Sequence, residues 1–377
     1  MNPLRALADV YLPIARQLNW AIITTVTLLG LLGVASLYAV AGGDFEPWAW
    51  RHGARLLVGL ALMLFIASLD LRVIFNGAYL LFGALIVLLI GVEVFGVRIM
   101  GAQRWLDLSF IRLQPSELVR LGLILALARY YQRIHQNDVS HPVNLIVPLA
   151  FIAFPALLIL RQPDLGTAAM LVITGLGVLF LTGISWRYFL VGGLGTLAAI
   201  PLVWQRLLPY QKERVLVFLD PERDPLGGGY HIIQSKIGIG SGGLFGKGFA
   251  EGTQSRLNFL PEKHTDFIFT MFAEEMGFIG SVFLMLLFVV LLVLLVRVAG
   301  NVRNQFSRLV VSGIGVSLFF YMAVNLAMVM GLAPVVGVPL PFISYGGTSL
   351  VTILMSIGVV LSLDRQAMVE MNELSRR

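Results

Sequence analysis

The segment Arg256–Gly277, RLNFLPEKHTDFIFTMFAEEMG, places Glu262, Lys263, His264 and Asp266 at the threshold of a long apolar run. That run continues to about residue 296, and a stretch of about 20 apolar residues is enough to cross a bilayer. Charge at membrane depth costs about 2.5–3.5 kcal/mol or more unless it is paired or wet. A cluster this dense therefore has to meet water, a head group or a substrate where the chain enters the membrane. The segment predicts a membrane helix that begins at a polar, chemically equipped turn.

The rest of the chain repeats the membrane signal. Of 377 residues, 58% are hydrophobic and 13% charged, against about 25% charged in an ordinary soluble domain. Hydropathy predicts spans at 21–41, 54–69, 74–96, 114–133, 144–160, 167–183, 188–204, 267–296, 309–331 and 344–363. The expected fold is an all-α polytopic bundle of about ten transmembrane helices in a single domain over 1–377. The 39 glycines suit close helix–helix approach. Residues 1–20, with Arg5 and Arg16 among apolar neighbours, read as an interfacial segment and not as a cleavable leader.

Basic residues in the short loops predict the orientation. With the N-terminus inside, the inner segments hold Arg5, Arg16, Arg72, Arg129, Arg133, Arg187, Arg297, Arg303, Arg308, Arg365, Arg376 and Arg377. The short outer loops hold only Arg51, Arg55, Arg98, Arg104, Arg112 and Arg161, so both termini are expected in the cytoplasm. The net charge of +6 then reports orientation and not nucleic-acid binding. Cysteine is absent, which excludes disulfides, thiol catalysis and cysteine metal sites.

One segment, 205–266, breaks the hydropathy pattern. It carries 15 of the 48 charged residues and is expected to be a long extracytoplasmic loop. Turn signals at Asp220-Pro221, Asp224-Pro225, Gly227–Gly229 and Ser241–Gly243 punctuate it, and Gly229–Lys236 reads as a short amphipathic helix. A long loop without obvious secondary structure is more often functional than filler. The glycine spacing in Gly238–Gly243 follows no strand, so it is not read as a nucleotide motif.

Polar groups in costly places are the functional candidates. Glu117 and Arg120 lie three apart in the fourth span, on one helix face, as a structural ion pair or as the wall of an outward cavity. Asp164 is a helix cap or a second cavity carboxylate. Trp105, beside Arg104, is an interfacial anchor or a stacking surface for a sugar. Asp266 or Thr265 can cap the eighth span, but capping alone does not call for Glu262, Lys263 and His264 as well. If the helix starts near Asp266, Thr270 and Glu274 share its face, and Glu274 lies about 12 Å along it. A carboxylate so deep needs a partner or a polar cavity.

Seven stretches carry a family resemblance: GAQRWLDL (101–108), LQPSE (113–117), QPDLGT (162–167), DPERDPLGGGY (220–230), QSKIGIGSGGLFGKG (234–248), FLPEKHTDFIF (259–269) and GLAPVVGVPLPFISYGGTS (331–349). Together they resemble the SEDS family (shape, elongation, division and sporulation) over nearly the whole chain. The wording of 218–236 is closer to the elongation branch than to the division branch. The resemblance implies ten membrane helices in the bacterial inner membrane and peptidoglycan glycosyltransferase activity on lipid II, the undecaprenyl-diphosphate-linked disaccharide-pentapeptide. It implies Asp266 as the catalytic residue, with Trp105, Glu117, Arg120 and Asp164 also functional. Ser344 and Thr348 fall in the last of the matching stretches. A departure is Arg51-His52, where members often carry Arg-Gln, which weakens any role for His52.

The chemistry expected is removal of a proton from the acceptor sugar hydroxyl by Asp266, an effect typically worth about 10²–10⁴-fold. Lys236, Lys263, Arg214 and Arg104 are the candidate cations for the departing diphosphate. No dedicated metal cage is visible, so Mg²⁺ or Mn²⁺ would be shared with the substrate's diphosphate, and no tightly bound cofactor is expected. The resemblance implies a class B penicillin-binding transpeptidase and other rod-complex membrane proteins as partners. A lipid II transporter or a division-type glycosyltransferase are the alternatives, the first because intramembrane charges often mark substrate paths.

Overall fold

A computed structural model of the chain describes residues 17–99, 102–107, 112–224, 227–257 and 259–375. The predicted interfacial segment falls almost wholly outside these residues. Ten long helices stand where the ten spans were expected: α1 (Trp20–Val40), α2 (Ala49–Ser68), α3 (Leu71–Phe95), α4 (Pro115–Tyr131), α5 (Pro142–Arg161), α6 (Leu165–Leu181), α7 (Trp186–Arg206), α11 (Ile268–Asn301), α12 (Gln305–Val329) and α13 (Gly347–Ser375). Seven of them are long and apolar enough to cross a membrane by length and composition. The chain is a multi-pass membrane protein. The fourth span falls short of that measure because α4 has only 17 residues and carries Glu117, Arg120 and Arg129. The sixth span, α6, is apolar but has only 17 residues.

Helix α4 is the axis of the bundle. It is buried almost all round, packed by α3, α5, α6, α12 and α13. Its N-terminus has Pro115 at the first helical turn, where the missing N–H costs nothing. Helix α13 packs along α2, and α12 along α6 and α11. Helix α7 is different: Leu190, Val191, Leu194, Leu197 and Leu202 all face outward, as suits a helix surrounded by lipid.

Two outer segments are more ordered than the sequence suggests. The loop after α3 folds into a small antiparallel sheet, β1 (Val97–Ile99), β2 (Ala102–Asp107) and β3 (Arg112–Leu113), in which Val97 faces Trp105 and Leu106 faces Leu113. The long loop is mostly helical: α8 (Pro209–Leu219), α9 (Gly228–Ser241) and the short α10 (Thr253–Arg256). The amphipathic helix expected at 229–236 is the first half of α9. The absence of obvious structure expected for 205–266 is corrected. Its helices are too short and too polar to register in a hydropathy window.

Helix α11 is broken. Gly277 adopts φ 66° and ψ −164°, a conformation that glycine tolerates and other residues rarely do. The break frees backbone groups that membrane interiors cannot leave unpaired. The loop after α9 satisfies them. Lys247 N donates to the Glu274 carbonyl (3.0 Å) and Gly248 N to that of Glu275 (3.2 Å). Phe278 N donates to Gly243 O (2.9 Å) and Ile279 N to Leu244 O (3.1 Å). Gly246 lies directly on the Glu275 carbonyl, leaving no room for a β-carbon. The glycine-rich run in 238–248 is thus a backbone splice into a helix, which explains its composition without any nucleotide.

Candidate active site

Contacts join most of the stretches singled out in the sequence: Arg104 and Gln114 reach Asp164, Thr348 reaches Gln114, Ser344 reaches Thr265, Gly337 faces Asp266 and Ser235 meets Thr270. Asp266 is half-buried in the turn 261–267 that opens α11. Its carboxylate lies over Gly337, 3.5 Å from where a β-carbon there would stand. Its backbone is pinned from α12: buried Asn325 donates through Nδ2 to the Asp266 carbonyl (2.9 Å) and to the Val338 carbonyl (2.7 Å). Ser344 Oγ donates to the Thr265 carbonyl (2.7 Å), and Tyr345 N to the His264 carbonyl (2.9 Å). Two remote segments, α12 and the α12–α13 loop, thereby set the position of a single carboxylate.

The neighbours of Asp266 divide into holders and groups with spare chemistry. Glu262 accepts from Thr265 Oγ1 (2.7 Å) within the turn. Lys263 turns inward: its Nζ donates to the Ser255 carbonyl (2.7 Å) and lies 5.8 Å from the Trp48 ring centre. Burial lowers its pKa from the usual lysine value. His264 stacks on Trp48 with centroids 4.5 Å apart and planes 13° from parallel. Burial pushes its imidazole below the ordinary value, Glu262 pulls it back up and Lys263 pushes it further down. Lys263 and His264 therefore build the floor of the turn, with the Lys263 ammonium held on the Ser255 carbonyl and not directed at a diphosphate in this conformation.

The second polar cluster is at the same end. Arg120 Nη2 sits 3.2 Å from Glu117 Oε2, with both side chains at most 6% exposed, and its guanidinium lies 3.9 Å from the centre of the Tyr321 ring. Asp164 is a helix cap, as one of its two readings had it. Oδ1 caps α6 by accepting from Thr167 N (3.2 Å), while Oδ2 accepts from Gln114 Nε2 (3.3 Å) and lies 3.6 Å from Arg104 Nε. Arg104 also donates to the carbonyls of Gln162 (3.3 Å) and Pro163. That leaves Arg104 clamping the QPD turn onto β2. Trp105 next to it is half-buried in the small sheet. Thr348 accepts from Gln114 N (3.1 Å) and donates to the Arg112 carbonyl (3.3 Å), tying the start of α13 to the start of α4.

Helix α9 closes the site from a third side. Ser235 shares a 2.6 Å hydrogen bond with Thr270 and donates to the Val329 carbonyl (2.7 Å). Lys236 is exposed, its stem passing over Gly331. His231 points toward Phe267, with ring centroids 6.1 Å apart, and burial lowers its pKa. Arg214 lies on α8. Glu274, fully buried, has the partner the sequence demanded: Lys247 Nζ at 2.6 Å, with Thr253 Oγ1 (2.7 Å), Thr253 N (3.1 Å) and Gln254 N (3.1 Å). Three of these donors open α10, so the carboxylate also caps that helix.

Sequence reading missed Asn325, Trp48, Tyr345 and Lys247. Asn325 was visible as a polar residue in the ninth span, and that was its only signal. Among the described residues no three His, Asp or Glu side chains gather to hold a metal.

Comparison with known proteins places the chain in one family. Residues 16–368 match the cell cycle protein family model of FtsW, RodA and SpoVE. Peptidoglycan glycosyltransferase MrdB of Escherichia coli is 44% identical over 341 residues, 89% of this chain and 91% of that protein. A probable peptidoglycan glycosyltransferase FtsW of Coxiella burnetii is 38% identical over 355 residues, 91% of this chain and 94% of its own length. The rod shape determining protein RodA of Thermus thermophilus superposes with a TM-score of 0.70 at 32% identity, covering 93% of this chain and 97% of that one. A chain from a structure describing coordination of polymerization and crosslinking by a peptidoglycan synthase complex superposes at 0.82 with 35% identity, covering 93% and 98%.

Proposed function

The chain belongs to the FtsW/RodA/SpoVE family of cell cycle proteins and is a peptidoglycan glycosyltransferase of the cell-elongation type; from that premise we propose that Asp266 is its general base. The observation that carries the assignment is the pinned turn. Asp266 is partly accessible, faces Gly337 and is held through its own carbonyl by Asn325. A base must keep its geometry from one turnover to the next, and the pinned turn supplies that.

The substrate is lipid II, with its sugars at the bundle end that carries Asp266, Trp105 and the Glu117–Arg120 pair. That end is also where α1 finishes, since Ser255 Oγ donates to the Val40 carbonyl. The opposite end holds Asn19, bonded to Asp364. With the termini cytoplasmic, the site opens on the outer face of the inner membrane. Asp266 takes the proton of the acceptor's 4-hydroxyl as that oxygen attacks the anomeric carbon of the donor. The carbon–oxygen bond to the lipid diphosphate breaks, and inversion of the α-linked donor yields a β linkage. A divalent cation, Mg²⁺ or Mn²⁺, would arrive with the diphosphate and offset its charge, with Glu262 as the nearest additional carboxylate in the turn. A class B penicillin-binding transpeptidase is the partner that would crosslink the glycan.

The test is polymerisation of purified lipid II by the protein, with its transpeptidase, in liposomes. Asp266→Ala abolishes polymer while membrane level and partner binding persist. Normal polymer from that variant overturns the assignment.

A further inference from the structure

Arg55 is a cation placed where electrostatics disfavours one. It rises from α2 to lie over the Tyr345 ring, 4.8 Å from its centre. Its guanidinium rests against the first residue of α13: a β-carbon on Gly347 would stand 3.0 Å from Arg55 Nε and 3.1 Å from Cζ. The N-terminus of a helix carries about half a positive charge. No acidic residue occupies the first turn of α13 to neutralise it. Among the described residues Arg55 has no carboxylate within ion-pair distance, and its Nη1 is buried without a hydrogen-bond partner. A buried donor left unpaired costs about 1–3 kcal/mol, more when charged.

The backbone beside it is equally unsatisfied. Tyr345 N and Leu350 N have protein acceptors, whereas the amides of Gly346, Gly347 and Thr348 have none among the described residues. The two glycines leave the backbone bare, and a side chain at 347 would displace the guanidinium. Four other cations at this end are engaged: Lys263 on Ser255 and Trp48, Arg104 on Asp164, Gln162 and Pro163, Arg112 on Asp107 and Arg120 on Glu117. Tyr345, beneath Arg55, is bonded to the His264 carbonyl, two residues from Asp266.

We propose that Arg55 and the free amides of Gly346–Thr348 form an anion subsite that receives the diphosphate of the lipid-linked substrate beside Asp266. The chemistry is that of oriented N–H donors plus a planar guanidinium, which together suit a phosphate group. The assignment rests on the glycosyltransferase reading above for the identity of the anion. The free amides and the unpaired guanidinium stand without it. On this assignment Arg55 binds the leaving group, so its charge acts both before and during bond cleavage.

The experiment compares wild type, Arg55→Gln and Arg55→Lys in nanodiscs, each first checked for a wild-type melting temperature. Lipid II polymerisation gives KM and kcat. Inhibition by inorganic pyrophosphate gives a binding readout independent of turnover, and native mass spectrometry counts retained phosphatidylglycerol. We expect Arg55→Gln to raise the lipid II KM about tenfold or more and to weaken pyrophosphate inhibition to match, the loss expected for one charged hydrogen-bonding group. Arg55→Lys recovers part of the effect, because the charge returns without the planar fork. Unchanged KM and unchanged pyrophosphate inhibition in Arg55→Gln overturn the proposal. So does loss of retained phosphatidylglycerol with unchanged KM, which would make the anion a bilayer phospholipid. Gly347→Ala, which pushes the guanidinium away without altering charge, should mimic Arg55→Gln. Should the wild type bind pyrophosphate through Arg55 yet form no glycan, the glycosyltransferase reading fails and the anion subsite survives.

Discussion

Replacing Asn325 with leucine tests whether the site depends on a polar pin within the membrane bundle. The substitution keeps the branched heavy-atom skeleton, with two bulkier methyls in place of the amide oxygen and nitrogen, and removes both Nδ2 donations, to Asp266 O at 2.9 Å and to Val338 O at 2.7 Å. Each lost hydrogen bond is worth about 0.5–1.5 kcal/mol net, and each stranded carbonyl about 1–3 kcal/mol. Against this, Asn325 Oδ1 is itself buried without a partner, and removing it returns part of that cost. The balance is a destabilisation of about 1–3 kcal/mol, tolerable for a folded bundle. The catalytic effect is larger, because Asp266 loses the bond that fixes its backbone. A displacement of about 1 Å in a reacting group can cost about 10²-fold in rate. We expect Asn325→Leu to lower kcat for lipid II polymerisation by about 10–100-fold with KM changed less than about threefold. Asn325→Asp, whose buried carboxyl takes up a proton and can donate to only one of the two carbonyls, should fall between wild type and Asn325→Leu. In an Asp266→Ala background Asn325→Leu should add nothing. Wild-type kcat from a folded Asn325→Leu protein would refute the idea that α12 positions the base.

Exchanging Glu117 and Arg120 should restore activity only in part relative to either single reversal. The exchange rebuilds the 3.2 Å ion pair but puts a carboxylate over the Tyr321 face, which repels anions, and polymer yield reports the difference. Lys247→Met leaves Glu274 buried without its cation, yet its amide and hydroxyl donors remain and Lys247 is 28% exposed, so the loss is about 2 kcal/mol and not the full cost of breaking a buried pair. A fall in melting temperature with Lys247→Met, and a smaller fall for the double variant Lys247→Met/Glu274→Gln, would show it. His264 is held neutral by burial, so its folded pKa lies below the unfolded value of about 6.5. Its contribution to stability is complete above that pH and is lost as pH falls through the folded value, because the unfolded chain binds the extra proton. His264→Phe, which keeps the stack on Trp48, should flatten the decline in melting temperature between about pH 7 and pH 5, with His231 accounting for what slope remains.

The spans and the polar end of the bundle were legible in the sequence because each rests on local properties. A run of apolar residues or a cluster of charges needs no knowledge of what packs where. The same holds for the Glu117–Arg120 pair, since a spacing of three on a helix brings two side chains together in any fold. Glu274 was legible as a question: so deep a carboxylate required a partner, but nothing in the sequence named Lys247. The glycine-rich run at 238–248 was legible as unusual and opaque as to purpose, because its partner is the break at Gly277 in another helix.

What only the tertiary structure decided is which groups near Asp266 are occupied and which are free. Lys263 and Arg104 looked like ligands for a diphosphate in the sequence. In the fold their charges are taken up by Ser255, Trp48 and Asp164, whereas Arg55, which the sequence offered only to the orientation count, lies on α2 with no carboxylate beside it among the described residues and Nη1 without a hydrogen-bond partner. Asn325 holds a backbone 59 residues away, and Ser344 one 79 residues away. Hydropathy is a property of one stretch in one solvent, so the chain alone settles where the membrane is. Hydrogen-bond satisfaction is a property of pairs brought together by packing, so the fold alone settles which charge is left to meet a substrate.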